Sequence, residues 1–198
     1  VPGMTTLAST RERYGEVLLQ LGEEDPDIAV IGGDLNVSVC TAAFGKRFPE
    51  RFFDMGAAEQ NMVNVAAGLA SSGKTPFVST FAVFGVGRPF DQLRVLVSQP
   101  HLNLKLVCTH AGILTGEDGM SAHGIEDLAL ACSLDGCRVV FPSDAEETCQ
   151  AVRIAAQTEG PVYIRLSRAA TPVIHDPSYR FILDQAEVVR QGNDLTII

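Results

Sequence analysis

Glu59 stands among small residues in the run Asp54-Met55-Gly56-Ala57-Ala58-Glu59-Gln60-Asn61-Met62, in the first turn of a predominantly apolar, helix-patterned stretch. A carboxyl in that position complements the helix dipole, and taken alone it needs no other role. Its neighbours widen the possibilities. The small residues before it let another molecule come close. A second segment, Thr80-Phe81-Ala82-Val83-Phe84, presents two rings directly after an apolar run, where a ligand would lie. Singly, Phe81 and Phe84 read as core residues. Further along come Thr109-His110-Ala111-Gly112, Gly116-Glu117-Asp118-Gly119 and Leu166-Ser167-Arg168. A lone histidine after a strand is usually a hydrogen-bonded structural residue, and a lone arginine there is usually a surface ion pair. Together they offer acid–base groups and a forked cationic donor suited to phosphate oxygens.

The elements that must position these residues alternate along the chain. Residues 8–22 carry Tyr14, Val17, Leu18 and Leu21 at helical spacing behind Ser9-Thr10, so a helix with a hydroxyl N-cap is expected. Residues 28–31 read as a buried strand ending in Gly32-Gly33-Asp34, and Phe52-Phe53 as the start of another. Residues 58–72 are helical with Gly73 as C-cap. Strands are expected at 76–80, 104–109, 138–141 and 162–166, and helices at 90–97, 125–132 and 144–157, the last with Asp144 near its start. A Gly-rich loop fills 112–119. Such alternation predicts an α/β fold with a mostly parallel sheet covered on both faces. Ligands in such folds sit beyond the carboxyl ends of the strands, and Asp34, Phe81, His110 and Arg168 all follow strands.

Composition excludes several classes. With 46% hydrophobic and 20% charged residues over 198 positions, one domain with a sizeable core is expected. A formal net charge of -9 argues against nucleic acid as a partner. No apolar run approaches a membrane span, and residues 1–4 lack the look of a secretory signal. Five cysteines, with no Cys-x-x-Cys pair, fit reduced thiols in a cytoplasmic protein better than zinc or a disulfide scaffold. After Arg168 the chain turns irregular and stops inside the apolar run Leu195-Thr196-Ile197-Ile198, so a further domain beyond the given sequence is expected.

The series Gly33-Asp34-Leu35, Gly56-Ala57-Ala58-Glu59-Gln60, Thr80-Phe81-Ala82-Val83-Phe84, Thr109-His110, Gly116-Glu117-Asp118-Gly119 and Leu166-Ser167-Arg168 is similar to the pyrimidine-binding domain of transketolases. Each motif is short; six in the right order are specific. The resemblance runs over about residues 5–170. It implies a three-layer α/β sandwich for a domain at 1–175, with 176–198 as linker and start of a C-terminal domain. Uninterrupted transketolases carry a diphosphate-binding domain before this one. Few residues precede the first helix here, so the chain resembles the second subunit of a split transketolase, or a fragment of it.

The resemblance implies a transferase that moves a two-carbon ketol unit from a ketose phosphate to an aldose and works only with a partner. That partner is an N-terminal-type transketolase subunit, in a dimer of heterodimers. It would hold the diphosphate of thiamine diphosphate together with Mg2+ or Ca2+. In this chain Glu59 matches the glutamate that contacts the cofactor's aminopyrimidine, Phe84 the ring that stacks on it, Phe81 a wall of that pocket, and Asp34 an aspartate near the thiazolium. Ser38, His110 and Arg168 match residues that hold the phosphate end of the sugar, and Asp118 one that bonds a sugar hydroxyl. A buried carboxyl retains its proton more readily than an exposed one, so it can share a proton with the pyrimidine. Two departures stand out. Family members usually read Gly-Pro-Thr-His-Gln where this chain has Gly119-Met120-Ser121-Ala122-His123, so Ala122 takes the histidine's place; either His123 joins Glu59 and His110 as a catalytic residue after a local shift, or the catalytic assistance differs. Gly87 falls where some members have an aromatic residue. Alternatives are the beta subunit of a 2-oxo-acid dehydrogenase, a deoxyxylulose-phosphate synthase, or a non-catalytic regulatory subunit.

Overall fold

The computed structural model describes residues 6–176 and 178–196. The elements are β1 (Leu7–Ala8), α1 (Thr10–Glu24), β2 (Ile28–Gly32), α2 (Ala42–Arg47), a 3-10 turn (Pro49–Arg51), β3 (Phe52–Asp54), α3 (Glu59–Ser71), β4 (Thr75–Phe81), α4 (Ala82–Gly87), α5 (Phe90–Gln92), which continues as a π-helical stretch (Leu93–Ser98), β5 (Lys105–Thr109), a 3-10 segment (Ile113–Asp118), α6 (Asp127–Cys132), β6 (Arg138–Val140), α7 (Ala145–Gln157), β7 (Val162–Arg165) and β8 (Thr171–Pro172). Residues 1–4, read as lacking a signal, and residues 197 and 198 of the terminal apolar run lie outside the described residues.

Six strands form one sheet in the order β3-β2-β4-β5-β7-β6, every pairing parallel. Successive residues of a strand face opposite sides, and the two faces are both apolar. Phe77, Val107 and Ile164 point to one layer with Tyr14 and Leu18 of α1 and Val152 of α7. Val78, Leu106 and Tyr163 point to the other, with Met62 and Val63 of α3 and Val86 of α4. The expected three-layer α/β sandwich is the fold observed.

Local chemistry explains the boundaries. Ser9 caps α1 by accepting from the Glu12 amide, and Asp144 caps α7 by accepting from the Glu147 amide at 2.9 Å. Gly73, at φ +86°, closes α3: its N–H donates to Ala70 O and that of Lys74 to Leu69 O, a Schellman stop that requires a left-handed residue. Lys105, fully buried, donates to Asn103 Oδ1 and the Thr158 and Gly160 carbonyls, tying the start of β5 to the end of α7. Burial draws its ammonium pKa down to about 8.

The helix expected at 90–97 is present, with a change of helix type along it. Only its first turn is α-helical, and from Leu93 the ladder widens to i→i+5 bonds, as in Gln99 N–H to Arg94 O and Leu102 N–H to Val97 O. The wider turn brings Leu93, Val97 and Ser98 together on the buried side, and Ser98 Oγ donates to Asp135 O at 2.6 Å. The helix expected from 125 starts at Asp127, because Ile125 is exposed and its N–H is taken by Glu126 Oε2. Helix α2 and the two-residue ribbon β1–β8 had no counterpart in the sequence reading.

Beyond β8 the chain crosses α7. The buried Asp144 accepts from the Ile174 and His175 amides and lies 3.0 Å from His175 Nδ1, and His175 Nε2 meets Glu187 at 2.7 Å. Gln150 of α7 bonds the Tyr179 carbonyl and the Phe181 amide.

Candidate active site

Every candidate residue lies at or beyond a carboxyl end of the parallel sheet, because the turns after β2, β3, β4, β5 and β7 all open there. Asp34 follows β2 in a left-handed conformation (φ 68°), and its N–H donates to Asp54 Oδ1 at 3.0 Å. Asp54 also accepts from the Gly56 amide and from Asn36. Slight burial pushes its carboxyl pKa up, but these three donors outweigh it and hold the pKa below the usual range. Asp54 thus fixes both the Asp34 loop and the approach to Glu59. Ser38 is half-buried on the same loop, and its carbonyl accepts from Arg11 Nη1 at 2.9 Å.

Glu59 is the first residue of α3 and only 5% exposed. Its Oε1 meets Arg88 Nη1 at 2.8 Å. The same guanidinium lies over the Phe84 ring, 4.0 Å from its centroid. Phe84 and Arg88 are four residues apart at the end of α4, so they share a face. The site therefore holds a flat, nitrogen-bearing cation between a ring and a carboxylate. Arg88 was not among the residues singled out from the sequence. The signal available was its four-residue offset from Phe84.

Phe81 joins this group to a second one. Its ring stacks on Phe84 at 5.9 Å and on His110 at 3.8 Å. His110 is buried with a left-handed backbone (φ 56°), and its Nδ1 is 2.8 Å from Thr109 Oγ1. Burial, aided by Arg11 and Arg168 and opposed by Asp118, pulls its pKa down to about 4, so the imidazole is neutral at pH 7. Asp118 Oδ2 lies 3.8 Å from His110 Nε2 and 3.3 Å from Arg168 Nε, and Arg168 Nη2 meets Glu117 at 2.6 Å. Arg11 Nε donates to the Arg168 carbonyl, so α1 braces both Ser38 and Arg168.

The departing loop takes a definite shape. Ala122 is buried with Val39 and Phe81, and His123 Nε2 is 3.0 Å from the Gly116 carbonyl, closing the loop on itself. The loop's ends meet where the Gly112 amide donates to the Gly124 carbonyl. Just beyond, buried Asp127 Oδ2 accepts from Tyr163 Oη and Arg165 Nε at 2.7 and 2.8 Å. This clamp, too, was not foreseen from the sequence.

The profile of the transketolase pyrimidine-binding domain matches residues 7–173. The chain belongs to the transketolase family. A putative transketolase C-terminal section from Methanocaldococcus jannaschii is 43% identical over 190 residues, 95% of this chain and 60% of the relative. A subunit of the apulose-4-phosphate transketolase from Phocaeicola vulgatus is 34% identical over 193 residues, 97% of this chain and 62% of the relative. A solved structure described as a split-gene transketolase, inactive beta4 tetramer, superposes with a TM-score of 0.81 at 48% identity, covering 93% of this transketolase-family chain and 59% of that one. The chain thus spans about three-fifths of the length of these relatives.

Proposed function

We propose that this chain is the pyrimidine-binding subunit of a thiamine diphosphate-dependent transketolase that transfers a two-carbon ketol unit from a ketose phosphate to an aldose. The observation that carries this reading is the seat between Phe84 and Glu59, which accepts a flat, hydrogen-bond-donating nitrogen group. An aminopyrimidine has that shape and edge. When bound, thiamine diphosphate supplies the electron sink for carbon–carbon cleavage. Phe84 stacks on the ring, Phe81 walls it, Asp34 borders it, and Glu59 holds or passes a proton at a ring nitrogen. His110, as a neutral imidazole, and Arg168 and Ser38 bind the phosphate end of the sugar, while Asp118 accepts from a sugar hydroxyl. The His110–Asp118–Arg168 group favours a sugar phosphate over a 2-oxo acid.

The diphosphate and its Mg2+ or Ca2+ are assigned to an N-terminal-type partner subunit, in a dimer of heterodimers. Two relatives support a separate partner subunit by their names, one a subunit of its transketolase and the other the product of a split gene. The test is reconstitution: this chain, a diphosphate-binding partner, thiamine diphosphate, Mg2+ and a ketose phosphate with an aldose acceptor. Ketol transfer is expected from the mixture and from neither subunit alone. Transfer by this chain alone, or none by the mixture, overturns the reading.

A further inference from the structure

Arg88 makes the two contacts that a bound aminopyrimidine would need. Its guanidinium covers Phe84 at 4.0 Å and its Nη1 takes Glu59 Oε1 at 2.8 Å. A guanidinium and an aminopyrimidine share a flat π-surface and an edge of N–H donors, so they compete for one seat. Both cannot stack on the same face of Phe84 while bonding the same carboxylate oxygen.

The way Arg88 is held fits a removable occupant. Its backbone is fixed: Arg88 N–H donates to the Phe84 carbonyl, and Gln60 Nε2 donates to the Arg88 carbonyl. Its side chain is 50% exposed, whereas Glu59 is buried. The adjacent Gly87 has open space around it, since a Cβ there would meet no atom within 4 Å. The guanidinium can therefore swing towards solvent about a fixed Cα without disturbing α3 or α4. While seated, it also keeps the buried Glu59 carboxylate paired, which avoids the cost of a lone buried charge.

We infer that Arg88 is a built-in placeholder for the cofactor ring, seated on Phe84 and Glu59 in the free chain and displaced when the aminopyrimidine enters. This rests on the thiamine diphosphate reading above. It makes Arg88 a determinant of cofactor affinity that acts by occupying the site. A residue that helps hold the ring would have the opposite effect.

The sign of one substitution decides the matter. The probe is 4-amino-5-hydroxymethyl-2-methylpyrimidine, titrated at millimolar concentrations into the whole chain and followed by ligand-observed NMR. Wild type is compared with Arg88→Ala, Arg88→Gln and Glu59→Gln, with circular dichroism as the folding control. Removing a half-exposed ion pair and a cation–π contact should tighten binding about three- to tenfold in Arg88→Ala. Arg88→Gln, which keeps part of the bulk and loses the charge, should tighten it less, and Glu59→Gln should weaken it. If wild type binds and both Arg88 variants bind equally or more weakly, the placeholder is wrong and the cofactor reading stands. If neither wild type nor Arg88→Ala binds the probe, both fail together.

Discussion

Glu59 is where the chemistry is most exposed to test. Glu59→Gln keeps size and hydrogen bonding but cannot pass a proton in the same way. In a reconstituted enzyme, turnover and exchange of the cofactor C2 proton should fall towards the upper end of the roughly 10²–10⁴-fold range of acid–base groups. A helix-dipole role alone predicts a stability change of about 0.3–1 kcal/mol with normal exchange, so a wild-type exchange rate would remove Glu59 from its role. His110 makes a pH prediction. Its folded pKa of about 4 lies below the ordinary 6.5, so the unfolded chain binds more protons between those values. Stability is then full above about pH 6.5 and falls as pH drops towards 4, by about 1–3 kcal/mol from this residue. Urea unfolding of wild type and His110→Gln from pH 7 to pH 4 should show a shallower decline in the variant. Glu59, Phe84, His110 and Arg168 can be singled out as candidates because their motifs sit at strand ends in a fixed order. Arg88 and Asp54 were not, because their roles arise from where a long side chain reaches and from which amides a loop aims at a carboxylate.

Among elements, a buried clamp lies just beyond the loop from Gly112 to Gly124. Asp127 at the start of α6 holds Tyr163 and Arg165 of β7 from a position only 2% exposed, and Arg165 in turn lies over Phe141. Asp127→Ala leaves a guanidinium and a phenol partly unpaired in the interior. It should lower unfolding free energy by about 3–5 kcal/mol, read by urea denaturation at pH 7. A loss within about 1 kcal/mol would show that the pair is dispensable. The alternation of strands and helices was readable from hydrophobic period and caps, and α1, α3 and α7 lie within a few residues of their expected bounds. The π-helical turn after Gln92 was not readable, since its period differs from an α-helix only slightly over so few residues. Helix α2 buries only Phe44, too little to print a period, and β1 and β8 are two residues each, held by pairing across the chain.

For the whole molecule, the formal charge of -9 gives no general attraction for a diphosphate. The chain alone should therefore bind thiamine diphosphate only weakly, no tighter than the millimolar range of its pyrimidine fragment, in titration calorimetry, with or without Mg2+. Tight, magnesium-dependent binding by this chain would move the diphosphate grip into it and contradict the division of labour proposed above. The α/β class and the side of the sheet that carries the site were both legible from the order of elements. The sheet's own outline has a separate consequence. Its two border strands, β3 and β6, are three residues each, while the inner ones run from four to seven. So short a border offers a neighbouring chain almost no ladder to extend. Growth of copies by strand addition at this sheet is therefore disfavoured, and association through helix flanks or the loop-bearing rim is the easier route.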